Sequence, residues 1–70
     1  MTPEERFAAN LRRCREAAKL TQEQLSAKAG LHPTEISRLE RAMREPRLGT
    51  IARLARGLGV GAEKLVAGIR

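Results

Sequence analysis

Four polar side chains recur at helical spacing in one short segment, and they are the residues of this chain best suited to chemistry. They stand at i, i+3, i+4 and i+7 and are Thr34, Ser37, Arg38 and Arg41. Hydroxyl and guanidinium groups on one side of a helix offer hydrogen bonds and positive charge to whatever they face. Ile36, Leu39 and Met43 fall at i, i+3 and i+7 and form the expected buried stripe. The segment therefore predicts a short amphipathic helix that presents its polar side to a partner.

The sequence offers no comparable set of residues for catalysis. It contains one His, one Cys and no Asp, which excludes the usual catalytic and metal-ligand patterns, and it has no glycine-rich phosphate loop. We expect neither enzyme activity nor a metal or other cofactor. Cys14 lies at helical spacing with Phe7 and Leu11, so we expect a small core residue rather than a reactive thiol.

The polar helix is preceded by a second short helix and a tight break. Thr21 can cap that helix, because Gln24 completes the spacing of a capping box. Gly30 stands where a helix ends at positive φ, and Pro33 follows at a first helical position, where its missing amide costs nothing. A bracing helix, a turn and a presenting helix at 33–41 are the parts of a helix-turn-helix.

Apolar periodicity predicts three more helices and no strands. We expect helix one from Pro3 or Glu4 to about Lys19, helix four from about Leu48 to Leu58, and a last short helix over 62–67. The apolar side of helix one comprises Phe7, Leu11, Cys14 and Ala18, and that of helix four comprises Leu48, Ile51, Leu54, Ala55 and Leu58. The prediction is a single all-α domain of five helices over residues 1–70.

The net charge of +6 is unevenly distributed along the chain. Residues 21–40 carry a net charge of −1, whereas residues 41–70 carry +5, densest at Arg41, Arg44 and Arg47. A protein that binds a polyanion holds phosphates with cations while a separate polar surface inspects base edges, and this distribution suits that division. With no apolar run long enough for a signal peptide or a membrane span, we expect a soluble, cytoplasmic protein, nucleoid-associated when bound to DNA.

Short motifs in register along residues 6–66 resemble the helix-turn-helix domain of the Cro/C1-type (XRE) repressors. They are L-R-x-x-R from Leu11 to Arg15, L-T-Q-x-x-L from Leu20 to Leu25, Gly30, I-S-R-L-E from Ile36 to Glu40, Pro46, and L-A-x-x-L-G-V from Leu54 to Val60. The resemblance implies a five-helix, lambda-repressor-like fold in which helices two and three form the helix-turn-helix.

The resemblance also implies which residues contact DNA bases. Pro33, Thr34 and Arg38 occupy positions that face base edges in the family. An arginine fork can pair with O6 and N7 of one guanine, and a threonine can touch a thymine methyl group. The alternative for Arg38 is a solvated side chain paired to Glu35 or Glu45.

Contacts to the DNA backbone are implied in the same way. The residues at the corresponding positions are Thr21, Gln22, Ser37, Arg41, Arg44 and Arg47. Thr21 and Gln22 begin helix two, where a helix N-terminus attracts phosphate, and Thr21 can also be its cap. Arg41, Arg44 and Arg47 flank the loop after helix three and resemble the family's phosphate clamp, with Arg47 close to the minor groove.

Two further positions are structural by resemblance. Arg15 and Glu40 match a pair that forms a partly buried salt bridge between helices one and three. Ala42 stands where the family usually has Gly at positive φ. Either helix three continues past Ala42, or this residue carries backbone strain of about 1 kcal/mol or more.

The resemblance also implies a symmetric homodimer. Apolar residues near the end of the chain exceed what so small a core can hide, which predicts that the dimer surface lies there. We expect Leu65 inside, and we assign Val60, Val66 and Ile69 to the dimer interface. The alternative is that Leu65 and Val66 simply close the monomer core.

Together these features predict a sequence-specific, double-stranded DNA-binding transcriptional regulator, either a repressor or an autoregulator. It would bind a two-fold symmetric operator as a homodimer through helix 33–41, with RNA polymerase as a further partner. The alternative is an antitoxin or adaptor protein whose main surface binds protein. We expect no toxin-wrapping tail, which argues against that alternative.

Overall fold

The computed structural model describes all 70 residues as five helices without strands. The helices are α1 (Pro3–Ala17), α2 (Gln22–Ala29), α3 (Pro33–Glu40), α4 (Leu48–Leu58) and α5 (Glu63–Val66). The predicted all-α architecture is confirmed. None of the helices is both long and apolar enough to cross a membrane.

The starts of α2 and α3 are fixed by local side-chain caps. The Gln24 amide N–H donates to Thr21 Oγ1 at 3.0 Å, and the Thr21 amide donates to Gln24 Oε1 at 2.8 Å, which completes a capping box. His32 caps α3, because its Nδ1 accepts from the Thr34 amide at 3.1 Å. Pro33 follows as the first residue of α3. The helix-turn-helix therefore begins both of its helices where the sequence predicts.

Four of the helices are followed, one or two residues after their last residue, by a residue in the left-handed conformation. These residues are Lys19 (φ 59°), Gly30 (φ 69°), Ala42 (φ 59°) and Gly59 (φ 71°). In each case the next amide donates to the carbonyl five residues earlier, as Leu20 does to Arg15 at 3.1 Å. Helix α1 consequently stops at Ala17, two residues before the predicted end.

Helix α3 ends at Glu40, and Arg41 is its C-cap. Ala42 follows at positive φ, so the strained alternative for this residue is the one observed. A non-glycine residue in this region costs about 1–2 kcal/mol. The predicted presenting helix 33–41 is therefore one residue shorter, and Arg41 is its C-cap.

Ten apolar side chains form one core to which all five helices contribute. They are Phe7, Leu11, Leu25, Ala29, Ile36, Leu39, Leu54, Ala55, Leu58 and Leu65. Helix α2 packs on α4, and α1 packs on both α3 and α5. A Cβ at Gly57 would lie 3.2 Å from the Ala29 backbone nitrogen, so glycine permits the close approach of α4 to α2. Cys14 is half-buried and packs against this core.

Three residues predicted to be buried are exposed, each because it lies at or beyond a helix end. Met43 is 63% exposed, since α3 stops three residues before it. Leu48 is 86% exposed as the first residue of α4. Ala18 is the C-cap of α1 and points to solvent. The last helix is also shorter than predicted, at Glu63–Val66.

Candidate nucleic-acid interface

A buried ion pair fixes α3 against α1. The Glu40 side chain is fully buried, and it accepts from Arg15 Nε at 2.6 Å and from Arg15 Nη2 at 3.0 Å. Arg15 Nη1 also donates to the carbonyl of Leu20 at 2.9 Å. A bidentate guanidinium–carboxylate pair has a defined geometry as well as a favourable energy. It sets the position of the α3 C-terminus relative to α1 and to the chain that leads into α2.

Glu40 has a third hydrogen-bond partner, which comes from α2. Gln22 Nε2 donates to Glu40 Oε1 at 3.0 Å. A carboxylate can only accept, so the Gln22 amide must face Glu40 with its nitrogen. Arg12 Nε lies 3.8 Å from the same oxygen. One carboxylate therefore joins α1, α2 and α3.

These contacts keep the ion pair charged. Burial raises the pKa of Glu40, but the hydrogen bonds from Arg15 and Gln22 and the charges of Arg15 and Arg12 outweigh it, so the pKa of Glu40 lies below its ordinary value. The hydrogen bond to Glu40 raises the pKa of Arg15 further. Both groups remain ionised at neutral pH.

The outer side of α3 is a concave and wholly polar surface. It is lined by His32, Thr34, Glu35, Arg38 and Arg44. Thr34 and Arg38 are exposed, and Pro33 is half-buried at the start of the helix. The only ion pairs in the structure are those of Arg12 and Arg15 with Glu40. The alternative in which Arg38 pairs with Glu35 or Glu45 is therefore not observed, and the Arg38 guanidinium is free.

The three arginines around the loop after α3 do not share one surface. Arg44 lies beside Arg38, whereas Arg41 lines a separate depression along α1 with Arg12 and Arg13. Arg41 Nε donates to the backbone carbonyl of Ser37 at 3.3 Å. The residue Ser37 is half-buried. Arg47 is exposed as the residue that precedes α4.

The N-terminus of α2 leaves backbone donors unpaired. The amides of Gln22 and Glu23 make no hydrogen bond within the protein, whereas that of Gln24 is capped by Thr21. Free amides and the positive end of the helix dipole attract anions. The Glu23 carboxylate lies in the same turn and opposes that attraction.

Asn10 is a positioning residue that the sequence interpretation missed. Its side chain is buried, and Nδ2 donates to the carbonyls of Leu65 at 2.9 Å and of Ala67 at 2.8 Å. Both amide hydrogens are thus used to hold α5 against α1. The available signal was its place between Phe7 and Cys14 on the apolar side of helix one, where a polar residue needs a buried partner.

The residues assigned to the dimer interface lie in two places. Val66 and Ile69 are 38% and 37% exposed, and they line one groove with Pro3, Phe7, Pro46 and Ile51. Val60 is half-buried against the core and lines a different depression, beside Cys14. Leu65 is fully buried, as expected. No three His, Cys or Glu side chains lie together in a way that could hold a metal ion.

Comparison with known proteins identifies relatives of this chain. A family described as helix-turn-helix matches residues 11–65. The chain is 44% identical over 54 residues to the uncharacterized HTH-type transcriptional regulator y4dL of Sinorhizobium fredii, covering 77% of this chain and 28% of that protein. It is 40% identical over 57 residues to regulator y4dJ of the same organism, covering 81% and 74% of the two chains.

A solved structure shares the same fold. The restriction-modification controller protein C.AhdI from Aeromonas hydrophila superposes with a TM-score of 0.86 at 32% identity. The superposition covers 89% of this chain and 94% of the controller protein.

Proposed function

The chain belongs to the Cro/C1-type (XRE) helix-turn-helix family of DNA-binding transcriptional regulators, and we propose that it is a repressor or autoregulator that binds a two-fold symmetric operator as a homodimer. Occupancy close to a promoter then regulates transcription, by blocking RNA polymerase or by contacting it. The likeness to a controller protein over nearly the whole of both chains supports a regulator of that kind.

The free guanidinium of Arg38 on the polar side of α3 is the observation that carries this proposal. Arg38 is exposed and has no ion pair, while the helix that bears it is anchored through the buried Glu40. Because the helix is already fixed, its backbone needs no further ordering on binding, which favours discrimination between bases. We assign Arg38, Thr34 and Pro33 to base edges in the major groove, with Arg38 on a guanine.

Contacts to the sugar–phosphate backbone surround this reading surface. They are assigned to Thr21, Gln22, Ser37, Arg41, Arg44 and Arg47. Arg44 shares the concave surface with Arg38, so the phosphate that it binds flanks the base that Arg38 reads. These contacts supply affinity without sequence information.

A dimer is needed for affinity, because one short helix reads only a few base pairs. The partly exposed Val66 and Ile69 support an interface on their groove. The subunit measures 29 × 22 × 21 Å, so two subunits side by side fit half-sites spaced by one helical turn, roughly 34 Å.

Selection of bound sites from random duplex DNA tests the proposal. We expect a consensus of two inverted half-sites about 10 base pairs apart, each containing guanine, with two chains bound per duplex. A single, unrepeated half-site bound by one chain would contradict the dimer. No enrichment of any sequence would contradict sequence-specific binding and favour a protein-binding role.

A further inference from the structure

The buried carboxylate of Glu40 accepts a hydrogen bond from Gln22, the first residue of α2, at the end of that helix that attracts anions. Two hydrogen bonds from Arg15 already neutralise this carboxylate. The third hydrogen bond, from Gln22 Nε2 at 3.0 Å, is therefore not required for charge balance. Its separate effect is to hold the Gln22 amide in one orientation.

We propose that Glu40 is a positioning residue for a DNA phosphate: through Gln22 it fixes one side-chain N–H beside the free backbone amides of Gln22 and Glu23. This inference rests on the proposed DNA binding. A primary amide has two N–H groups and Glu40 engages one of them, so the other remains available to a phosphate oxygen.

Holding the Gln22 side chain in advance strengthens such a contact. A free glutamine loses rotamer freedom when it binds a ligand, whereas the half-buried Gln22 has already lost that freedom on folding. The neighbouring Glu23 carboxylate repels phosphate, so binding at this helix start depends on its hydrogen-bond donors.

A double-mutant cycle tests the coupling. Binding of a 24-base-pair duplex of arbitrary sequence is measured at low salt for the parent, Gln22→Met, Glu40→Gln and the double variant. We expect Gln22→Met to bind about tenfold more weakly, since a hydrogen bond to a charged phosphate is lost. Glu40→Gln should also bind more weakly, because Gln22 loses its charged acceptor, and the double variant should bind no more weakly than Gln22→Met. The log–log salt slope should stay unchanged, because glutamine releases no counterion.

The sign of the Glu40→Gln effect separates positioning from simple electrostatics. Removing a carboxylate near a polyanion strengthens binding by Coulomb attraction alone, so tighter or unchanged binding by Glu40→Gln would overturn the inference. Independent effects of the two substitutions, which multiply in the double variant, would also overturn it. A parent that does not bind the duplex contradicts the proposed function itself.

Nuclear magnetic resonance of the parent tests the same idea without a substitution that threatens the fold. The N–H of Gln22 that faces Glu40 should exchange slowly with solvent, and the other should shift when the duplex is added. Gln24 is the matched control, because its Oε1 accepts from Thr21 while its two N–H groups make no hydrogen bond in the protein. Equal, fast exchange of both Gln22 N–H groups, or no shift of the outward one with the duplex, overturns the inference.

Discussion

The side chains of α3 divide, residue by residue, into those that anchor the helix and those that are exposed. Ile36 and Leu39 are buried in the core, and Glu40 is buried in an ion pair, so three of the eight residues anchor the helix. Arg38 and Thr34 are exposed on the opposite side. Because the anchoring residues leave the exposed ones free of partners, substitution of an exposed residue should change binding without changing the fold.

Replacement of Arg38 by alanine tests that division. We expect Arg38→Ala to lose about 1–3 kcal/mol of binding free energy for the selected operator, because a bidentate contact to one guanine is removed. Its affinity for random duplex should fall much less. Fluorescence anisotropy on both duplexes measures the two effects, with Arg53→Ala, an exposed arginine of α4, as the control. Equal operator binding by Arg38→Ala and the parent would remove Arg38 from the reading surface.

Local sequence signals determine where the helices begin and end. Burial and contacts outside the helices depend instead on how the helices pack. The capping box at Thr21 and the turn at Gly30 are visible as short patterns in the sequence. Burial of Met43 and Leu48 was predicted wrongly, because apolar periodicity was extended past the point where each helix ends. The hydrogen bond from Gln22 to Glu40 could not be predicted, because 18 residues separate the two and their contact depends on how α2 and α3 pack.

Ala42 offers a direct measurement of strain at a helix end. We expect Ala42→Gly to raise the free energy of unfolding by about 1 kcal/mol, because glycine adopts positive φ without a Cβ clash. Urea denaturation of the parent and the variant measures this difference. Gly30→Ala is the matched reverse substitution: an added Cβ there meets no atom within 4 Å, so only its φ of +69° opposes the change. If Ala42→Gly is no more stable than the parent, the strain assigned to Ala42 is wrong.

At the scale of the whole molecule, the Glu40 ion pair links global stability to pH. Glu40 has a lowered pKa when folded, so below its ordinary value of about 4.5 the unfolded chain binds more protons than the native protein. Its stabilising contribution is complete above that pH and is lost as the pH falls through the folded pKa. Glu5, whose pKa is lowered by its hydrogen bonds with Thr2, acts in the same direction.

Comparison of the parent with Glu40→Gln isolates the contribution of Glu40 to the free energy of unfolding. At pH 7 we expect Glu40→Gln to be less stable than the parent by about 3 kcal/mol, since Arg15 loses its charged partner. That difference in stability should shrink as the pH falls below 4.5. Urea denaturation of both proteins at a series of pH values measures it. A difference that stays constant from pH 7 to pH 3 would show that the carboxylate does not stabilise the fold through its charge.

The hydrogen bonds from Asn10 to the carbonyls of Leu65 and Ala67 join the first helix to the last across 55 and 57 residues. During translation, α1 is synthesised before its partner segment. Until residue 67 has emerged from the exit tunnel, the Asn10 amide has neither of these carbonyl partners, and the pocket that Leu65 fills stays open. The core that Leu65 completes can therefore close only after the chain through residue 67 is outside the ribosome.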